Sequence, residues 1–184
     1  MLKLTDTTLV RRALQGNADA WDKLIERYER RVYNFSLRMS CNREDAMDLM
    51  QEIFLSVYRN LPSYRAEAPF AAWLFRIASH RCVDFYRRRK PAEPLPVEEY
   101  GIEDTSKEAN PVGLLLRQEA NQNLLALMDQ LSLEQRLVVE LKFLQEQTFE
   151  EMSRSLGVSA NTLKSRLYGA LRKMKTLTEV AHAV

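Results

Sequence analysis

The stretch "TFEEMSRSLGVSANTLKSRLYGALRKMK", residues 148–175, decides how this chain folds. Thr148 and Glu151 have the spacing of a capping box, in which a hydroxyl and a side chain three residues later satisfy backbone N–H groups at a helix start. One helix then runs through Leu156, Gly157 supplies a turn, and Ser159 caps a second helix. That is the anatomy of a helix-turn-helix. On the second helix Leu163, Leu167, Ala170, Leu171 and Met174 share one face, which is expected to be core. The opposite face carries Asn161, Ser165, Tyr168, Gly169 and Arg172, with Thr162, Lys164 and Arg166 on its shoulders. Small polar and basic groups so arranged suit a DNA major groove, where N-terminal residues reach base edges and cations meet phosphates. A solvated, basic amphipathic helix of a bundle would carry the same charges. The glycine between two capped helices, with the bases confined to the outer face, favours the groove reader.

Working toward the N-terminus, Ser132 and Gln135 form a second capping box, and residues 114–131 have a helical apolar pattern. Residues 112–184 are therefore expected to form a small domain of four helices. Before it lies "PAEPLPVEEYGIEDTSKEANP", residues 91–111, with four prolines and six acids (Glu93, Glu98, Glu99, Glu103, Asp104, Glu108) against Lys107 alone. Such a composition buries too little apolar surface to offset the entropy of ordering, so it reads as a flexible acidic linker.

Residues 1–90 read as a second helical domain. Trp21, Leu24, Ile25, Tyr28, Val32, Phe35 and Met39 keep the three-and-four spacing of one helix face. A second run, from Ala46 through Leu49, Ile53 and Val57 to Leu61, is closed by Pro62. A third starts after Pro69 with Phe70, Trp73, Leu74 and Ile77 and ends in "YRRRK", and a short helix near Thr7 to Gln15 opens the chain. The fold class is all-α: two small helical domains joined by the linker.

Composition bounds the chemistry. Hydrophobic residues make up 46% of the 184 and aromatics 9%, enough to fill two small cores, while the net charge of +2 hides a segregation of bases and acids. No apolar run approaches the roughly 20 residues needed to span a bilayer, and the opening "MLKLTDTTLV" lacks a signal peptide's features. A cytoplasmic location is expected. Cys41 and Cys82 have no metal-ligand spacing and only His80 and His182 to join them, so the thiols read as reduced core or surface residues, with no metal or cofactor. The chain has neither a glycine-rich phosphate loop nor a histidine beside a nucleophile, which argues against an enzyme and against a small-molecule substrate.

Two further helices carry candidate sites. The third helix and its entry loop mix Tyr64, Phe70, Trp73, Phe75, Phe85 and Tyr86 with Arg65, Arg76, Arg81 and the run from Arg87 to Lys90. Aromatic faces stack on unpaired bases and cations follow phosphates, as in single-strand binding. Phe70, Trp73 and Ile77 sit at helical spacing and are expected to pack inward, which leaves Tyr64, Arg65, His80 and the arginine run for contact. The second helix gathers Asp45, Asp48, Gln51 and Glu52 on one side, which by pattern alone reads as a solvated face.

Together these segments resemble the extracytoplasmic-function sigma factors of the sigma-70 family, small two-domain bacterial transcription initiation factors. "LIERYERRVYNFSLRM", "REDAMDLMQEIFLSVYRNL" and "FAAWLFRIASHRCVDFYRRR" are similar to the family's region 2; "LSLEQRLVVELKFLQEQTFEEMSRSLGVSANTLKSRLYGALRKMK" is similar to its region 4. The resemblance implies that Asp48, Gln51 and Glu52, with Asp45 beside them, bind core RNA polymerase, replacing the solvated-face reading. It implies that Tyr64, Arg65, Arg76, His80 and Arg87 open and hold the −10 element, whose flipped base needs a pocket to repay unstacking. Asn161, Thr162, Lys164, Ser165, Arg166, Tyr168 and Arg172 would read the −35 element. The linker would thread the polymerase cleft, its acids imitating nucleic acid; a simple solvated tether is the alternative. An anti-sigma protein is a further candidate partner and a stress-response regulon the expected output. His80 stands where the family often has Asn, Ser153 where it usually has Ala, and Asn161 where Gly is common. An operator-binding regulator using the same helix pair is the competing reading, but such proteins usually dimerise and no spare segment for that is visible.

Overall fold

The structure is a computed structural model that describes residues 4–88 and 122–182, with side chains to residue 179. The linker, residues 91–111, and the start of the helix expected from residue 114 lie outside the described residues. The N-terminal unit has α1 (Asp6–Leu14), α2 (Ala18–Ser40), α3 (Arg43–Asn60), a 3-10 turn at Leu61–Ser63 and α4 (Phe70–Arg88). The C-terminal unit has α5 over residues 122–129, α6 (Leu133–Val139), a π-helical turn at Glu140–Leu144, α7 (Phe149–Leu156) and α8 (Ala160–His182). No strand occurs among the described residues.

Caps set the boundaries. The Asn17 side chain accepts from the Ala20 N–H at 2.9 Å to start α2, and Asn42 accepts from Asp45 N–H at 3.0 Å to start α3. Between them α2 ends in a left-handed residue, Cys41 with φ 52°, whose N–H reaches the Leu37 carbonyl at 2.7 Å. This sharp reversal lays α3 back along α2. Across the α2–α3 hairpin run Leu24, Val32, Phe35, Leu49, Ile53 and Val57, all buried, and α4 closes the layer with Phe70, Leu74, Phe75 and Ala78. Trp73 and Ile77, expected inside, are only half-buried because they lie at the margin of this layer, facing a surface groove.

Both expected capping boxes are formed. Ser132 and Gln135 satisfy each other's backbone N–H groups at the start of α6, as do Thr148 and Glu151 at α7. Gly157 takes φ 67° at the turn, and the Ser159 hydroxyl accepts from Thr162 N–H at 3.1 Å to open α8. Leu163, Leu167 and Ala170 are buried and Met174 half-buried, but Leu171 is a correction: it is exposed, at the edge of the face that α8 turns to the core. Gly169 also differs from expectation. A Cβ there would lie 3.3 Å from the Gln135 side-chain nitrogen, so this position faces α6 and not a groove.

The two units share one continuous apolar core, in which Met128, Leu137, Val138 and Leu141 join the residues of α2 and α4. Its polar seam is specific. Glu140 is fully buried, with both carboxylate oxygens on the Arg38 guanidinium at 2.6 and 2.8 Å and a third bond from Gln145 Nε2 at 2.9 Å. Arg136 donates to the Met39 carbonyl at 2.9 Å, one of the carbonyls that the end of α2 leaves without an intrahelical partner. The Tyr86 hydroxyl donates to the same oxygen. A guanidinium at a helix C-terminus also meets the negative end of its dipole.

Candidate nucleic-acid and partner interfaces

Three surfaces collect the candidate residues. On α3, Asp48 and Gln51 are exposed, while Asp45 and Glu52 are half-buried. Asp45 belongs to the first turn, where an acid complements the helix dipole, and Glu52 is ion-paired with Arg88 of α4 at 2.5 Å. Asp48, Gln51, Glu52 and Leu55 line a shallow cleft that Phe85 and Arg88 complete. Sequence reading missed the apolar part of this face: Met47 and Leu55, both exposed, lie outside the apolar run of α3, and Tyr58, which the spacing of that run places inside, is exposed as well. The signal was present in the spacing: Met47, Gln51 and Leu55 step by four along the same side as Asp48.

The second surface is a groove of about 730 Å³ between the Ser63–Pro69 loop and α4. Arg65, Arg76 and His80 are exposed and line it, with Trp73 and Ile77 forming its apolar side. Tyr64 is placed differently from a free stacking platform. It is half-buried, packs edge-on against Phe70 with centroids 5.4 Å apart, lies 5.3 Å from Trp73, and donates to the Ala68 carbonyl at 2.9 Å. Desolvation raises its phenol pKa, with the Asp6 charge adding to the effect. The loop it anchors carries Ala66 at φ 57°, a left-handed conformation that costs a residue with a Cβ on the order of 1 kcal/mol. Arg87 is exposed at the end of α4 but is not among the residues lining this groove. The far wall belongs to the C-terminal unit: Gln147, Glu151, Arg154 and Ser155. One ring nitrogen of His80, Nε2, lies 2.9 Å from the Ser155 carbonyl oxygen.

The third surface is the outer face of α8. Asn161, Thr162, Lys164, Ser165 and Arg172 are exposed, and Tyr168 is 63% exposed. Arg166 is half-buried toward α6. There the Glu134 carboxyl is held below its ordinary pKa by its own backbone N–H and the Ser132 hydroxyl, with the Arg166 charge adding to them. Lys164 leans over the Phe149 ring at 5.6 Å, a cation–π contact that fixes the start of α8 on α7. The face is polar and basic at its N-terminal half and free of acids, as a helix laid against phosphates requires.

No cluster of three metal-ligating side chains occurs among the described residues. No described helix is long and apolar enough to cross a membrane. Burial pushes the Cys41 thiol up to about 11 and the Cys82 thiol up to about 12. Both are therefore protonated near neutrality, which suits packing rather than chemistry.

Comparison with known proteins gives these surfaces a context. The sigma-70 region 2 family matches residues 24–91, and the sigma-70 region 4 family matches residues 121–174. The chain is 32% identical over 163 residues to the ECF RNA polymerase sigma factor SigE of Mycolicibacterium smegmatis, covering 88% of this chain and 62% of that protein. It thus spans less than two thirds of that relative's length. With the ECF RNA polymerase sigma factor SigW of Bacillus subtilis it shares 29% identity over 178 residues, 89% of this chain and 93% of the relative. In fold it matches the sigma factor RpoE, solved in complex with the anti-sigma factor NepR from Bartonella quintana, with a TM-score of 0.63 at 18% identity, covering 86% of this chain and 96% of that one. The two matched regions, in this order and over these helices, place the chain in the extracytoplasmic-function group of the sigma-70 family.

Proposed function

We propose that the chain confers promoter-specific initiation on core RNA polymerase. In this reading α3 docks on the polymerase through Asp48 and Gln51, flanked by Asp45 and Glu52. The Ser63–Pro69 loop and α4 melt and hold the −10 element with Tyr64, Arg65, Arg76, His80 and Arg87. The outer face of α8 reads the −35 element. The observation that carries the proposal is the division of labour on one chain: an exposed acid-and-amide face on α3, an aromatic and basic groove beside it, and an exposed basic face on α8.

The placement of Tyr64 refines its role. Held against Phe70 and Trp73, it shapes the groove wall and positions the loop, leaving Arg65, Arg76 and His80 as the groove's polar contacts. The output would be a stress-response regulon, and an anti-sigma protein, such as the one bound to the RpoE relative, is a further partner. The protein would act in the cytoplasm, without cofactor or catalytic step, since melting is driven by binding energy that offsets the few kcal/mol of base unstacking.

The test is retention of core polymerase by the tagged chain. Asp48→Ala with Gln51→Ala should abolish retention while helix content stays unchanged by circular dichroism, because both side chains are exposed and fill no core. Retention equal to the wild type would remove α3 as the docking face.

A further inference from the structure

The first helix lines neither the cleft on α3 nor the groove along α4, yet one of its carboxylates holds two residues of α2 that lead to that groove. Asp6, in the first turn of α1, accepts from the Tyr28 hydroxyl at Oδ2, 2.6 Å away, and from the Arg27 guanidinium at Oδ1. Arg27 also donates to the Leu4 carbonyl at 2.8 Å, so the chain entering α1 is fixed on α2 at consecutive positions. We propose that Asp6 is a positioning residue for strand opening: acting through Tyr28 and Phe70, it fixes the Tyr64–Trp73 wall of the groove along α4.

The path from the carboxylate to the wall is a run of ring contacts. Tyr28 is 5% exposed and packs edge-on against Phe70 with centroids 5.4 Å apart. Phe70, also buried, meets Trp73 at 5.6 Å and Tyr64 at 5.4 Å, and Tyr64 lies 5.3 Å from Trp73. Rings packed edge-on or tilted hold one another at defined angles, and a close-packed interior passes a displacement on. α1 also packs on the Leu61–Ser63 turn from which the groove's loop departs. The Asp6 charge adds to desolvation in raising the Tyr64 phenol pKa, so the carboxylate lies within electrostatic reach of the wall it steadies.

The loop needs such an anchor. It holds Ala66 in the left-handed region and closes through the bond from the Tyr64 hydroxyl to the Ala68 carbonyl. A backbone conformation of this kind persists only where its surroundings over-determine it. Without the Asp6 carboxylate the buried Tyr28 hydroxyl loses its acceptor. Because an unpaired buried hydroxyl is costly, recovering a partner from water turns the ring away from Phe70. The wall then loosens where an unstacked base must be received, which slows opening and leaves the α3 docking face untouched. The effect on opening rests on the reading of α4 as the −10 surface; the ring path does not.

The experiment uses the full-length chain and two readouts. Trp73 emission, in a Trp21→Phe background that leaves it the one tryptophan, reports the wall. Permanganate reactivity of unpaired thymines, on a panel of promoter duplexes with core RNA polymerase and Trp21 in place, reports opening. Asp6→Ala should shift Trp73 emission to longer wavelength and slow opening about tenfold, the scale of one hydrogen bond to a charged group, with retention of core polymerase unchanged. Asp6→Asn keeps an acceptor for Tyr28 and should restore most of the opening rate. Tyr28→Phe removes the hydroxyl and keeps the ring; it should cause smaller changes of the same sign and cancel most of the further effect of Asp6→Ala. If Asp6→Ala loses helix content, Tyr28→Phe and Asp6→Asn decide. Asp6→Ala losses that are equal with and without the Tyr28 hydroxyl overturn the positioning role, as does a shifted emission with an unchanged opening rate. A wild type that retains polymerase and exposes no thymine overturns instead the −10 reading of the groove, and the opening role of Asp6 falls with it.

Discussion

The two halves of the molecule hold their nucleic-acid surfaces by different means. The N-terminal unit mounts its groove on α2, α3 and α4, helices of 23, 18 and 19 residues that bury a layer of their own. The C-terminal unit presents α8 on α6 and α7, only 7 and 8 residues long, lengths at which isolated helices are not stable in water. Capping boxes and the seam with α2 make up the difference. One unit thus rests on three long helices and the other on short capped ones, and a shared apolar core with its polar seam joins the two.

The most severe way to break this contrast is to remove one side of the seam. Glu140→Ala should cost about 3–5 kcal/mol in urea denaturation, since Arg38 is left buried without a counter-charge. Arg38→Met combined with Glu140→Leu should recover much of that loss. Equal damage in the single and double variants would show that the carboxylate packs but does not pair.

A sharper cut addresses the reader alone. Arg172→Ala removes an exposed cation from α8 and should weaken binding to a cognate −35 duplex by about 1–3 kcal/mol if Arg172 contacts a base. A loss equal on all sequences, with a reduced salt slope, would place it on a phosphate instead. Thr148→Ala opens the capping box of α7 and should cost about 1 kcal/mol in thermal or urea unfolding. The expected damage is to the helix-turn-helix, with α2–α4 retaining their hydrogen-exchange protection.

The smallest effects concern protons. The Glu151 carboxylate is held below its ordinary pKa by the Thr148 backbone N–H and hydroxyl. Its folded pKa is the lower one, so its contribution to stability is complete above the unfolded carboxylate pKa and fades as pH falls through the folded value. Glu151→Gln should flatten that acid limb slightly in pH-dependent melting. The thiols act at the other end. With Cys41 near 11 and Cys82 near 12 in the fold, against an ordinary 9.0, stability is full below about pH 9 and declines as pH rises toward the folded values. Both thiols should react slowly with iodoacetamide at pH 8 and quickly once the chain is denatured.

Much of this architecture was legible because it is local. Caps at Ser132, Thr148 and Ser159, the turn at Gly157 and the apolar faces of α2 and α3 all follow from residues within one or two helical turns of each other. What escaped reading is long-range. Glu140 sits inside the run "LVVELKF" and looks like the polar side of a helix; its partner Arg38 lies 102 positions earlier. The π-helical turn that aims it inward has no sequence signature comparable to a cap. Leu171 was read as core because periodicity gives a direction but not the length of the helices that must cover it. In the site, Asp48 and Gln51 of α3 and Asn161, Ser165, Tyr168 and Arg172 of α8 stand exposed where the pattern put them, whereas Gly169 faces α6 and Tyr64 is taken up by its aromatic neighbours.

The most direct test of the account is abortive transcription by core RNA polymerase on a panel of promoter duplexes, with and without the protein. The account predicts new initiation confined to a subset of promoters that share a −35 and a −10 sequence. Binding to duplex DNA without any gain in initiation, and without retention of core polymerase, would contradict it.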